Sequence, residues 1–162
     1  MPMTTSNTFG SAAQIKGTSA PLLFEILDKV AKAEDEKSKI ELLRKNDSNS
    51  LRSILKGAFD PSIVWELPEG TPPYQENEAP AGTEHTTLYT EAKRLHYFIK
   101  GANVLPKSKR EMMFIQMLEG LHAEEAKLLI NVKEKKLSSV YEGLTDTVVK
   151  KAFGWNDKYI KS

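Results

Sequence analysis

Large apolar residues recur along this chain at the spacing of helices, not with the alternation of half-buried strands. Leu22, Leu23, Ile26, Leu27 and Val30 share one helical face, with Ser19 as a cap and Pro21 in the first turn. A second, shorter pattern over 36–45 carries Ile40, Leu42 and Leu43. A third begins at Asp47 or Ser48, turns Leu51, Ile54 and Leu55 inward, and meets Gly57 as a left-handed stop. After a long interruption, Thr86 or Thr87 caps a helix that holds Leu88, Ala92, Leu95 and Ile99 and ends at Gly101. Ser108 and Glu111 are spaced as a capping box for the next helix. Met112, Met113, Phe114, Ile115, Met117 and Leu118 make that helix apolar nearly all round, which predicts a central position with Met113 or Met117 in the core.

The chain is organised around 121–155. Leu128, Leu129 and Val132 face inward on one helix, and Leu144, Val148, Val149, Ala152 and Phe153 on another, with a lysine-rich turn between them. No sheet is predicted. The fold class is all-α, an orthogonal array of about seven short helices joined by brief connections. Residues 1–17 hold only Phe9 and Ile15 as large apolar groups and read as a flexible tail. Residues 18–155 form the domain, and 156–162 read as a polar C-terminal tail.

The interruption is 58–84, where Pro61, Pro68, Pro72, Pro73 and Pro80 exclude a helix. It reads as an acidic, proline-rich strap anchored by Trp65 and Tyr74, the two candidates for contact with a partner protein.

Composition narrows the function. The 162 residues include no cysteine and three histidines at no metal-ligand spacing, so no metal and no thiol chemistry is expected. No apolar run reaches membrane-spanning length and the N-terminus lacks the pattern of a signal peptide, so cytoplasm is the expected location. Net charge is +1, but its distribution is uneven: 57–92 carry seven acids and no Lys or Arg, whereas 93–162 carry fourteen basic and eight acidic residues. No catalytic constellation is present. Lys45-Asn46-Asp47-Ser48 comes near a nucleotidyltransferase motif but has serine for glycine and lies at a helix junction. No catalytic residue and no cofactor are assigned.

What remains is cationic. Lys107, Lys109 and Arg110 gather at a helix start, Lys133, Lys135 and Lys136 in the turn after another helix, and Lys150 and Lys151 on the last. Cations repeated at helix junctions suit the phosphate backbone of duplex DNA, read without base contacts. As exposed charges they would contribute little to folding.

Two resemblances bear on this. LRKNDSNSLRSILKGAFDP, LPEGTPPY and GTEHTTLYTEAKRL resemble a family of small proteins encoded by large tailed bacteriophages, including those of marine cyanobacteria. The helix order and LHAEEAKLLINVKEKKLSSVYEGLTDTVVKKAF are similar to the N-terminal helical DNA-binding domain of ATP-dependent DNA ligases, through Glu125, Ala126, Leu129, Ile130, Gly143, Leu144 and Val149. That resemblance implies minor-groove contacts beside a nick and carries over to Lys133, Lys135, Lys136 and Gly143. Ligases usually have a basic residue just before that glycine, where this chain has Glu142. The resulting expectation is a non-catalytic phage accessory protein in the host cytoplasm that binds nicked or end-containing duplex DNA through Lys107, Lys109, Arg110, Lys133, Lys135, Lys136, Gly143 and Lys150. The alternative is an adaptor or inhibitor that binds a host or phage protein, such as a replication protein, and no DNA.

Overall fold

A computed structural model describes residues 21–79, 85–102 and 104–162. The expected N-terminal tail, the Ser19 cap and the end of the strap at 80–84 lie outside the described residues. Among those described, eight α-helices occur in chain order: α1 Leu23–Lys32, α2 Glu36–Lys45, α3 Asn49–Phe59, α4 Leu88–Glu91, α5 Lys107–Gly120, α6 Ala123–Lys133, α7 Leu137–Val140 and α8 Asp146–Phe153. A 3₁₀ run over Ala92–Phe98 continues α4. The fold is all-α; apart from two isolated β-bridges, the described residues form no extended pairing.

α2 and α3 start at the polar caps Asp35 and Ser48, whereas α1 has Leu22 at the cap position, so Pro21 lies before its first turn and not in it. Glu25 reaches back to the Leu22 amide at 2.8 Å, Asp35 accepts from Ser38 at 2.8 Å, and the Ser48 hydroxyl accepts from Leu51 at 3.0 Å. Each satisfies a helix N-terminal donor that would otherwise lack a partner. α6 is the hub: it packs on α1, α3, α5 and α7, and buries Ala126, Leu128, Leu129, Ile130 and Val132. α8 closes the far side against α2.

α6 also holds a side chain that apolar periodicity does not explain. Glu125 is fully buried, and its carboxylate accepts from the Leu23 amide at 3.2 Å and the Leu88 amide at 3.1 Å. One acid on the hub helix therefore caps the starts of α1 and α4, where helix dipoles favour negative charge.

Several local readings are corrected. α5 is not the all-round buried helix: Phe114, Met117 and Leu118 are buried and Met113 half-buried, but Met112 is 60% exposed. Its first residue is Lys107 with Pro106 as the cap, so Ser108 lies inside the first turn and the Ser108–Glu111 box does not form. The helix expected to reach Gly101 shortens to α4 plus the 3₁₀ run, because the chain turns extended at Ile99 to pair with Trp65. Gly57 lies within α3, not at a left-handed stop. It lacks a side chain because a Cβ there would sit 2.8 Å from Trp65 Cζ2. Residues 156–162 are not a loose tail. They fold back as a turn with Ser162 N–H donating to Gly154 O at 2.9 Å, and Tyr159 is buried against Trp155 and hydrogen-bonded to Asp146.

A candidate protein-contact site built on the strap

The strap leaves α3 at Asp60 and crosses the ends of α3 and α6. Trp65 sets its position: the indole lies over Gly57 and donates from Nε1 to Gly57 O at 3.0 Å. The backbone then makes one antiparallel bridge, Trp65 opposite Ile99, with Glu66 N–H donating to Phe98 O at 2.7 Å and Lys100 N–H to Val64 O at 2.8 Å. Further on, Gln75 N–H donates to the Glu119 carboxylate at 2.7 Å, and half-buried Tyr74 packs against the core.

Three of the cations expected to face DNA hold this strap instead. The Lys133 side chain is 2% exposed; its ammonium donates to Pro68 O at 3.0 Å and Gly70 O at 2.8 Å and pairs with Glu134. Lys135 occupies a left-handed backbone position, φ 59°, and donates to Gly57 O at 2.7 Å and Asp60 O at 2.9 Å. Those carbonyls end α3, which attracts a cation for the reason any helix C-terminus does. The Arg110 guanidinium donates from Nε to Glu66 O at 2.7 Å and from Nη1 to Leu105 O at 2.9 Å. The picture of Lys133 as an exposed charge dispensable to folding is thus corrected: removing it would leave two strap carbonyls without this donor and Glu134 without its paired cation, with the Gly70 amide still on the carboxylate.

The remaining expected residues divide. Lys150 pairs with Asp146 at 3.0 Å and Asp157 at 3.1 Å, and lies over the Tyr159 ring. Gly143, at φ 95°, packs against Lys39 and the Ala31 carbonyl, where a Cβ would meet Lys39 Cε at 3.0 Å. Lys151 pairs with Glu36 at 2.7 Å, and Arg44 donates to Ala152 O and Lys151 O at the end of α8. Lys107, Lys109 and Lys136 are exposed and make no side-chain hydrogen bond among the described residues.

Titration follows this packing. Burial pushes the Glu134 carboxyl up, but the Lys133 hydrogen bond, the Gly70 amide and the charges of Lys133 and Lys136 outweigh it and hold it below its usual value. Burial lowers Lys135, only partly offset by Asp60. The Tyr141 phenol is pushed up to about 12, mainly by burial.

Beside the strap runs a groove of about 550 Å³, lined by apolar groups such as Phe59, Val64 and Trp65 and by the polar Glu69, Glu134 and Ser138. Val64, one of the apolar residues lining it, is 48% exposed. A second space of about 370 Å³ lies between the Pro68–Pro73 stretch and Phe114 and Ile115 of α5. Among the described residues no group of three His, Asp or Glu side chains is placed to hold a metal ion, and no helix is long and apolar enough to cross a membrane. The sequence could show that the strap was special through its prolines and acids. It could not show that distant lysines clamp it, because carbonyl acceptors carry no sequence signal.

No curated protein and no solved structure matches the chain. A family model does match, over residues 26–139, a span that takes in α1 to α6, the strap and the Lys133–Lys136 turn. The chain therefore belongs to the family of unknown function DUF6433.

Proposed function

We propose that this protein is a non-catalytic adaptor that binds a partner protein through the strap, as a phage accessory protein acting in the host cytoplasm. One observation carries the reading: Lys133, Lys135 and Arg110 are turned inward to fix the strap, beside a groove of mixed apolar and charged lining. A segment held by three cations is pre-organised, which lowers the ordering cost of binding. Its exposed acids, Glu69, Glu76 and Glu78, favour a basic partner. The test is selection of a displayed library of random peptides of about twelve residues, long enough to lie along such a groove. Selected peptides should lose binding to Val64→Asp and keep it to Lys37→Glu, a change on α2, which packs on α1 and α8. Failure to recover any peptide whose binding depends on Val64 would overturn the reading.

A second reading, duplex DNA binding of the kind suggested by the ligase resemblance, is supported by a different region. Residues 93–110 carry six basic and no acidic side chains, and Lys107 and Lys109 stand exposed in the first turn of α5 with no acid beside them in that turn. A DNA contact would centre there, with Lys136 as an outlying cation, and not on the Lys133–Lys135 clamp. Nicked duplex titrated at two salt concentrations tests it: counterion release gives a salt-dependent affinity, and absence of binding at the lower salt removes this reading.

A further inference from the structure

We infer that the strap binds its partner by strand addition: residues Ile63–Leu67 form a short open edge onto which an extended segment of another protein pairs. The inference rests on the adaptor reading and specifies how that surface works.

The first observation is backbone geometry. In the Trp65–Ile99 bridge the two hydrogen bonds are made by the flanking residues, Val64 and Glu66 on one side and Phe98 and Lys100 on the other. Trp65 and Ile99 thus form a non-hydrogen-bonded antiparallel pair, so the Trp65 N–H and C=O point away from Ile99. Along extended chain, the groups of residues two apart point the same way, so the Ile63 C=O and, up to the bend at Leu67, the Leu67 N–H fall on that outer edge with those of Trp65. None of these four groups has a partner among the described residues. A row of unpaired donors and acceptors is what an incoming strand recognises.

The second observation is space. The groove of about 550 Å³ is lined by Ile63, Val64, Trp65 and Leu67 but by none of Phe98, Ile99 and Lys100, so it lies along the open edge and not the paired one. The turn after α6 also lines it, through Glu134, Lys135 and Ser138. Prolines bound the site: Pro61 precedes it and Pro68 follows it. Pro61 has no N–H to give a ladder on the open edge, and the chain bends at Leu67, Glu69 and Gly70, so the extended stretch stops at either end. The edge is therefore long enough for one short segment and too short to template a continuous sheet.

Charge and side chains define the occupant. The ammonium groups of Lys133 and Lys135 are engaged by carbonyls and Glu134, which leaves exposed Glu69 as the charge at the Pro68 end. Phe59 and Val64 offer apolar contact. The partner segment is extended, apolar at alternate positions, and carries Lys or Arg where it passes Glu69.

The experiment uses peptides selected from the random library on the full-length protein. Peptides of the stated pattern should bind, and hydrogen exchange should show the Trp65 and Leu67 amides gaining protection on binding. Leu67→Pro removes one edge donor that nothing in the fold uses, and should weaken binding about tenfold or more, the worth of a lost backbone hydrogen bond with a clash added. N-methylation of alternate peptide amides should weaken binding in a period of two even if Leu67→Pro fails to fold. Binding that depends on Val64 but shows no amide protection and no alternation in the methylation scan would overturn strand addition while leaving the adaptor reading in place. Peptides indifferent to both Val64→Asp and the scan would overturn both. Concentration-dependent dimerisation lost in Leu67→Pro would assign the edge to a second copy of this chain and overturn the choice of partner.

Discussion

The turn after α6 and the first turn of α5 each carry three basic residues in four, and use their lysines in different ways. After α6, Lys133 and Lys135 fold inward onto four backbone carbonyls. At the start of α5, Lys107 and Lys109 remain in solvent. The difference follows from what each helix end presents. Helix C-termini and the extended chain beside them offer unpaired carbonyls, which accept from an ammonium and carry partial negative charge. A helix N-terminus offers amides, which give a lysine nothing to donate to and disfavour its charge. A cluster of basic residues in sequence is thus not yet a binding surface; the carbonyls within reach decide whether the heads are free, since Arg110 in the first turn of α5 reaches Glu66 O and Leu105 O while Lys136 after α6 stays exposed.

The largest expected effect breaks the inward side. Lys133→Ala should destabilise the protein by about 3 kcal/mol, the lower end for breaking a buried pair, since Glu134 keeps some solvent contact. Urea unfolding followed by circular dichroism measures it. A cost near zero would mean that the ammonium is not a clamp and that the contrast between the two helix ends is false.

Gly57→Ala acts on the same strap through sterics. The added methyl would meet the Trp65 ring, which is pinned by its own hydrogen bond to Gly57 O, so overpacking should cost about 1–3 kcal/mol. In a Trp65→Ala background the cost of the same change should fall by about 1 kcal/mol or more, to what the remaining 3.3 Å approach to Val132 Cγ1 imposes. A cost that persists undiminished without the indole would place the clash elsewhere.

The pH dependence sharpens the picture further. Glu134 has a native pKa below its ordinary 4.5, so the folded state favours its charged form. Its contribution is present above 4.5 and is lost as pH falls through the lower native value. Acid titration of stability should therefore fall over that window in the parent and less steeply in Lys133→Ala, where the main partner is gone. Equal slopes in the two proteins would show that the pair does not govern the carboxyl.

Much of the helical frame was legible because apolar spacing and caps such as Ser48 act locally. The hub was legible for the same reason: Leu128, Leu129 and Val132 repeat at helical spacing. What escaped were long-range polar contacts. Glu125 lies in the first turn of α6, where an acid is ordinary, yet its carboxylate joins amides 102 and 37 residues away. Gly57 looked like a helix stop because glycine signals both a left-handed turn and a close approach, and only Trp65, eight residues on, distinguishes them. The strap lysines escaped for the reason already given: their acceptors are main-chain carbonyls, which every residue has.

The smallest expected effect tests the outward side. Lys107 and Lys109 lie in the first turn of α5, where the helix dipole is positive and no acid compensates them. Replacing both by alanine should stabilise the protein slightly, by about 0.5 kcal/mol at low ionic strength, and the gain should shrink with added salt. The opposite sign from Lys133→Ala is the informative part, because both changes delete lysines near helix ends. If nicked duplex binds the parent, the same double variant should flatten the slope of log affinity against log salt by about 2, since each phosphate contact contributes about 0.9. Lys136→Ala alone should change that slope by less, because it lies outside the 93–110 run. A double variant that loses stability would show that these side chains make contacts after all. One that gains stability while the salt slope stays fixed would keep the electrostatic contrast and remove DNA from the functions of this region.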